Sequence, residues 1–265
     1  MQLAISIGGS VEGFAELMNN KAKELGLLKT HFVTPHGLDQ DEHYTTAYEL
    51  AKITDYALTK PKIREIVATK NYNVLINNKS VNISNTNELL GYLEGVNGVK
   101  TGYTGKAGRC LVTSVDRNGF EIITVVLGAD TKKLRTKDSI KLIEYAYKEY
   151  EIVDIASKID EEFEIWNNTN RKRINIKKGQ KKEIKIGIDR FKYNEYAVKK
   201  SEKDKIWLDT ECKYNLEAPV NKGDIIGNIG VNIGNREIIN VNIYVKEQIP
   251  KKKVCNYIYD ILLQY

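Results

Sequence analysis

Lys100-Thr101-Gly102, within Gly98-Val99-Lys100-Thr101-Gly102-Tyr103-Thr104, sets a cation, a hydroxyl and a residue without a side chain in succession. Gly105 to Arg109 follow, and then the apolar run Cys110-Leu111-Val112. The pattern reads as the exposed edge of a β-strand. Gly102 leaves the backbone open for a ligand to lie alongside and add its own main chain to the sheet. Thr101 offers a donor and an acceptor. Lys100 offers a point charge that can hold a carboxylate or depress a neighbouring pKa. An ordinary strand start in a lysine-rich chain would use the same three residues, so the context has to decide.

Other chemistries find less support. His31, His36 and His43 share one loop, but spacings of five and seven suit no helix face, so loop packing is expected and no metal. Cys110, Cys212 and Cys255 are too few and too far apart for a disulfide framework or a zinc cluster. The formal net charge of +6 favours anionic surfaces such as lipid headgroups or wall polymers. A compositional bias toward Lys, Asn, Ile and Tyr explains the charge equally well. Nucleic acid is not expected as a partner: Lys outweighs Arg, the lysines are scattered among carboxylates, and no recognition motif occurs.

With 265 residues, two domains are expected. Residues 11–25 read as an amphipathic helix with Ser10 as N-cap and Gly26 as its end. A helix from Thr46, forming a capping box with Glu49, runs to about Thr59, before Pro61. A short helical turn around Ile63 and a hairpin over 70–84 come next, before the Lys100 strand. Residues 110–116 and 121–127 pair through Asn118-Gly119, the strongest short hairpin signal in the chain. A helix over 137–150 closes the unit, with Ile140, Ile143, Ala146, Tyr147 and Tyr150 inward. Strands and helices so ordered predict an α/β (α+β) layer with an antiparallel sheet over residues 1–150. From 158 to 248 the period becomes two, in Phe163-Glu164-Ile165-Trp166, Ile174-Asn175-Ile176, Glu183–Ile186, Ile225–Val231 and Ile238–Val245, which predicts a small β-sandwich. Residues 250–265 form a basic amphipathic tail. Its helix either lies in a membrane interface or packs on the sandwich.

Three stretches resemble the low-molecular-weight penicillin-binding proteins, the serine-type D-alanyl-D-alanine carboxypeptidases. They are Thr30-His31-Phe32-Val33-Thr34-Pro35-His36-Gly37-Leu38-Asp39 with Tyr44–Tyr48, then Asn85 through Gly108 with Lys100-Thr101-Gly102, and Leu216–Val220 with Lys222–Gly227. The resemblance implies a β-lactamase/DD-peptidase-like domain followed by the family's all-β domain and an amphipathic anchor. In the family the sheet has five strands, so a domain lacking its N-terminal part is expected. It also implies removal of terminal D-alanine from peptidoglycan stem peptides through an acyl-serine, with β-lactams acylating the same serine and no cofactor. Carried onto this chain, Lys100 is the catalytic residue, supplying positive potential and a hydrogen bond to the missing serine triad, Thr101 binds the terminal carboxylate, the backbone at Gly102-Tyr103 pairs with the peptide, and Arg135 assists the carboxylate. A surface salt bridge is the competing role for Arg135. Soluble β-lactamases share the tripeptide but not the sandwich or the tail.

The family's chemistry needs a serine with a lysine one helical turn later. Ser6, Ser10, Ser80, Ser84, Ser114, Ser139, Ser157 and Ser201 are followed at that position by Gly9, Gly13, Ile83, Asn87, Arg117, Leu142, Asp160 and Asp204. Without the nucleophile, turnover falls on the order of 10⁶, so an inactive, truncated relative is expected, with residues 1–150 poorly stable by themselves. Ser80-Val81-Asn82 mimics the family's second triad but sits in the predicted hairpin and is set aside as a decoy. Gln2-Leu3-Ala4-Ile5 with Gly8-Gly9-Ser10 resembles the helix after that triad. A non-catalytic scaffold at peptidoglycan or a membrane surface is the alternative. The family works on the outer face of the cytoplasmic membrane. No leader opens the sequence, so a cytoplasmic location is expected if Met1 is the true start.

Overall fold

The computed structural model describes residues 1–190 and 194–262, with side chains of the last helix described through Ile258. The chain divides into two compact units, Met1–Lys148 and Glu149–Tyr265.

The first unit opens with α1 (Gln2–Gly8) and α2 (Val11–Glu24). The Ser10 hydroxyl accepts from the Gly13 N–H at 2.9 Å, satisfying one of the orphan donors of α2. Gly26 ends it at φ 67°, a conformation that glycine adopts without strain. In α3 (Ala47–Leu58) the capping box is only half formed. Thr46 accepts from the Glu49 N–H at 3.2 Å, but the Glu49 carboxylate turns away from the helix end. It is 7% exposed and accepts from the Leu28 and Lys29 amides at 2.9 Å and from the Thr30 hydroxyl. Those amides need a partner more than the helix needs its second cap bond, and Glu49 thereby ties the loop over 27–44 to α3. Burial alone would raise the Glu49 pKa, yet these donors and Lys52 hold it below the usual range. An apolar groove of about 360 Å³ bounded by Phe14, Leu17, Leu25, Ile53 and Ile63 lies between α2 and α3.

Beyond α4 (Pro61–Ala68), β1 (Asn71–Ile76) and β2 (Lys79–Ser84) make an exposed hairpin, with Asn77 and Asn78 at φ 51° and 61°. The central sheet is β3 (Val96–Thr104), β4 (Gly108–Arg117) and β5 (Phe120–Ala129), antiparallel and in the order β3-β4-β5. Asn118 and Gly119, at φ 55° and 82°, make the tight β4–β5 turn, as the dipeptide predicts. Helix α5 runs over Lys132–Glu149, five residues earlier than the periodicity predicts. Tyr150 is not on its inner face but opens a strand. Ile143 packs with Leu89, Leu111 and Val115 in the core of this unit. The Tyr147 hydroxyl lies 2.8 and 2.7 Å from the carbonyls of Val115 and Phe120, and burial pushes its pKa up to about 12.

In the second unit the alternation across Phe163-Glu164-Ile165-Trp166 does not form a strand. β6 (Tyr150–Asp154) leads into α6 (Ile155–Asn170), capped by Asp154, whose carboxylate accepts from the Ser157 N–H at 2.9 Å and from its hydroxyl at 2.6 Å. Ile155, Ile159, Phe163 and Trp166 recur at helical spacing and are all buried, whereas Ile165 is 57% exposed. The β elements are β7 (Asn175–Lys177), β8 (Ile186–Ile188), β9 (Glu195–Lys199), β10 (Ile206–Cys212), β11 (Asn215–Glu217), β12 (Ile225–Ile233) and β13 (Arg236–Val245). Four of them form an antiparallel sheet in the order β10-β12-β13-β8, while β6 pairs with β9 and β11 with β7. Alternation in β12 and β13 sends Ile229, Val231, Val241, Ile243 and Val245 into one core with the α6 side chains. Trp207, about half exposed, donates its indole N–H to the Gly234 carbonyl at 2.7 Å. Helix α7 (Val254–Leu262) closes the described chain; Val254 and Ile258 are exposed. The side chains of Ile261 and Leu262, and Tyr265 altogether, lie outside the described residues. No described helix is long and apolar enough to cross a membrane.

Candidate functional site

Strand β3 has β4 on one side and no strand on the other among the described residues. Thr101 opposes Leu111, Gly102 opposes Cys110 and Tyr103 opposes Arg109. A Cβ on Gly102 would meet only the Cys110 Cβ, at 3.7 Å, which is ordinary contact. Nothing inside the chain therefore requires glycine here; the room it leaves faces outward. The Arg109 guanidinium stacks 3.6 Å from the centre of the exposed Tyr103 ring. The Lys100 ammonium is 2.6 Å from the Thr101 carbonyl.

Lys100, Thr101, Gly102, Tyr103 and Arg135 line one cavity of about 620 Å³. Arg135 reaches it from the first turn of α5 and is no surface residue: it is 3% exposed. Its Nη2 lies 3.6 Å from Glu88 Oε2, too far for a hydrogen bond, and neither Nε nor Nη2 has a hydrogen-bond partner. Donors left open in this way call for an anion. A carboxylate resting on Thr101 and Arg135 would receive a hydroxyl and a charged fork.

Other residues of the cavity carried no assigned role in the sequence. Thr86 Oγ1 is 2.6 Å from Thr101 Oγ1, so one hydroxyl donates to the other and the pair fix each other. Asn87, buried, donates to the Gly98 carbonyl at 2.8 Å and holds the start of β3. His36, Gly37 and Leu38 form another wall. Their loop is pinned where Asp39 accepts from the Lys106 amide at 3.3 Å; the Thr104 hydroxyl and this amide hold the Asp39 carboxyl below the usual range. The histidines serve the loop itself. His43 Nδ1 accepts from the Val33 amide at 2.9 Å, His36 Nδ1 accepts from the Leu38 amide at 3.2 Å, and His31 Nδ1 lies 2.6 Å from the Glu42 carbonyl. Burial, with His31 and His36 nearby, pushes the His43 pKa down. Ser80 and Asn82 lie on the exposed β2 strand, where Asn82 donates to Asn73 across the ladder at 2.8 Å, away from this cavity.

Residues 1–131 match the family model described as D-alanyl-D-alanine carboxypeptidase, and residues 165–251 match that of the penicillin-binding protein 5 C-terminal domain. The chain is 31% identical over 250 residues to the D-alanyl-D-alanine carboxypeptidase DacF of Bacillus subtilis, covering 94% of this chain and 62% of that protein. It is 29% identical over 267 residues to DacA of Haemophilus influenzae, covering 98% of this chain and 64% of that one. The chain thus spans somewhat under two thirds of the length of these curated relatives. Among solved structures, penicillin-binding protein 5 from Haemophilus influenzae superposes with a TM-score of 0.74 at 28% identity, over 94% of this chain and 69% of the other. The carboxypeptidase DacD from Francisella tularensis does so with a TM-score of 0.63 at 26% identity, over 94% and 71%. With both units matched in order and the fold shared, the chain belongs to the low-molecular-weight penicillin-binding proteins of the D-alanyl-D-alanine carboxypeptidase family.

Proposed function

We propose that the β3 edge and Arg135 are the substrate-holding side of a D-Ala-D-Ala carboxypeptidase site of peptidoglycan metabolism. The stem peptide lies along Gly102-Tyr103 as an added strand, and its terminal carboxylate is held by the Thr101 hydroxyl and the Arg135 guanidinium. Lys100 adds positive potential, and a β-lactam carboxylate takes the same place. The observation that carries this reading is the buried guanidinium with two unpartnered nitrogens in the cavity beside Thr101. No serine of these 265 residues has a lysine three positions on, so this chain binds the peptide without forming an acyl-serine. The same reading takes Lys251-Lys252-Lys253 and the exposed Val254 and Ile258 to an anionic lipid surface on the wall side of the membrane.

The test is an NMR titration of the chain with N-acetyl-D-Ala-D-Ala and with its C-terminal amide. Charge-assisted hydrogen bonds are worth about 1.5–3 kcal/mol, so the acid should bind about 10- to 150-fold more tightly. Equal binding of acid and amide would overturn the assignment. A fluorescent penicillin should leave the chain without covalent label, and a labelled serine would show that another residue serves as nucleophile.

A further inference from the structure

In the second unit, the sheet of β10, β12, β13 and β8 turns one face to α6, where the Thr210 hydroxyl donates to Glu162 at 3.3 Å. Its other face is polar, and the side chains there stand in cross-strand rows. Trp207, Asn232 and Glu237 oppose one another in the first row, and Asp209, Gly230 and Asn240 in the second. Glu211, Asn228 and Asn242 make the third and line a cavity of about 410 Å³. From Trp207 to Glu211 the rows span about 13 Å, at about 3.3 Å per residue.

Most of these groups are locked in place by one another. Asn232, 8% exposed, donates to Asp209 at 2.5 Å, and Asn240 donates to Glu237 at 3.0 Å. Asn242 donates to Asp189 at 2.9 Å. A Cβ on Gly230 would stand 2.7 Å from Asp209 Oδ1 and 3.1 Å from Glu237 Oε2, so glycine is what lets both carboxylates close over β12. Trp207 is tethered through its indole N–H to Gly234 and still leaves half its surface open. The Asn228 amide makes no side-chain hydrogen bond among the described residues, although it lines the cavity.

A fixed array of carboxylate oxygens and amides meets both needs of a hydroxyl, which donates and accepts. A free amide can pair reciprocally with an acetamido group. The indole offers a flat apolar surface to the C–H side of a sugar ring. Asp209, Glu211 and Glu237 form no ion pair with a lysine or arginine among the described residues, so this face of a chain with net charge +6 repels anions. Ile225 is the exposed apolar side chain of the cavity lining, too little for the centre of a protein interface.

We propose that this face binds an uncharged glycan of N-acetylated amino sugars, with a ring against Trp207 and an acetamido group on Asn228. The site stands apart from the carboxylate site of the first unit, and either can fail without the other.

The experiment titrates the whole chain with the hexamers of N-acetylglucosamine and of glucosamine while backbone amides are followed by NMR. The N-acetylglucosamine hexamer should shift the amides of β10, β12 and β13. It should bind equally in low salt and near about 1 M salt, because an uncharged ligand has no ion pairs to screen. Trp207→Ala should weaken binding about tenfold, as loss of an aromatic anchor does. Trp207→Phe keeps a ring without the bond to Gly234 and should retain most of the affinity, which separates stacking from folding. Asn228→Asp, of nearly the same shape, should weaken binding about fivefold. Binding of the glucosamine hexamer alone, lost in high salt, would show no more than acids attracting a cation and would overturn the proposal. So would the absence of shifts on the sheet with the N-acetylated hexamer, or unchanged affinity in both Trp207→Ala and Asn228→Asp.

Discussion

Replacing Arg135 with methionine should move binding and stability in opposite directions. The side chains are close in volume, so packing changes little. What disappears is a guanidinium 3% exposed, with Nε and Nη2 unpartnered. A buried polar group left unpaired costs about 1–3 kcal/mol. The attraction lost is that of Glu88, 3.6 Å away, half exposed and keeping its bond from Thr136; such a partly solvated pair is worth about 0.2–1 kcal/mol. The balance favours Met by on the order of 1 kcal/mol, read as slower hydrogen exchange in the amides of α5 and β4. Binding of N-acetyl-D-Ala-D-Ala should fall about 10- to 150-fold, the value of the charge-assisted bonds removed. If the variant exchanged faster while the dipeptide bound as before, Arg135 would be a structural residue and the carboxylate argument would be refuted.

Three further outcomes follow from the packing. Glu121 accepts from both ends of the Arg64 fork at 2.7 and 3.0 Å and from Ser114 at 2.9 Å, and the Arg64 bonds hold its pKa below the usual range. Its stabilising contribution is therefore complete above the unfolded value of about 4.3 and disappears only as pH falls through the lower folded value; hydrogen exchange in β5 during acidification should show this, and Glu121→Gln should remove the acid step. In α6, Ile159→Ala should cost about 2–5 kcal/mol in urea unfolding of the second unit, since Ile159 is fully buried, whereas Ile165→Asp should be nearly neutral; the reverse order would restore a strand. Brief trypsin digestion should consume residues 1–148 and leave a fragment beginning near Glu149, because the first unit leaves an apolar groove open and Leu3 and Ile7 exposed; survival of the first unit would contradict this.

What the sequence discloses here is what local chemistry dictates. Ser10 as a cap, Asn118-Gly119 as a turn and the Lys100 strand each depend on neighbours within a few residues, and each has its expected form. Phe163-Glu164-Ile165-Trp166 alternates like a strand over four residues, while the spacing of Ile155, Ile159, Phe163 and Trp166 that makes α6 a helix needs a window three times longer. Glu49 fitted a capping box, and tertiary amides twenty residues away won the carboxylate. At the site, the tripeptide signalled an edge, but the Thr86–Thr101 hydroxyl pair and the burial of Arg135 exist only after residues 15 or more apart have met. Family likeness rather than periodicity marks Arg135, and the earlier start of α5 is what turns it inward.

The two tryptophans of the chain, Trp166 in α6 and Trp207 in β10, both belong to the second unit. Indole emission therefore watches α6 leave its sheet, and no indole belongs to the unit that holds Arg135. A sample with a melted first unit would still glow as a folded protein. Tyr103, already stacked under Arg109 and exposed, is the natural place to add a third indole, giving the substrate edge an optical signal of its own.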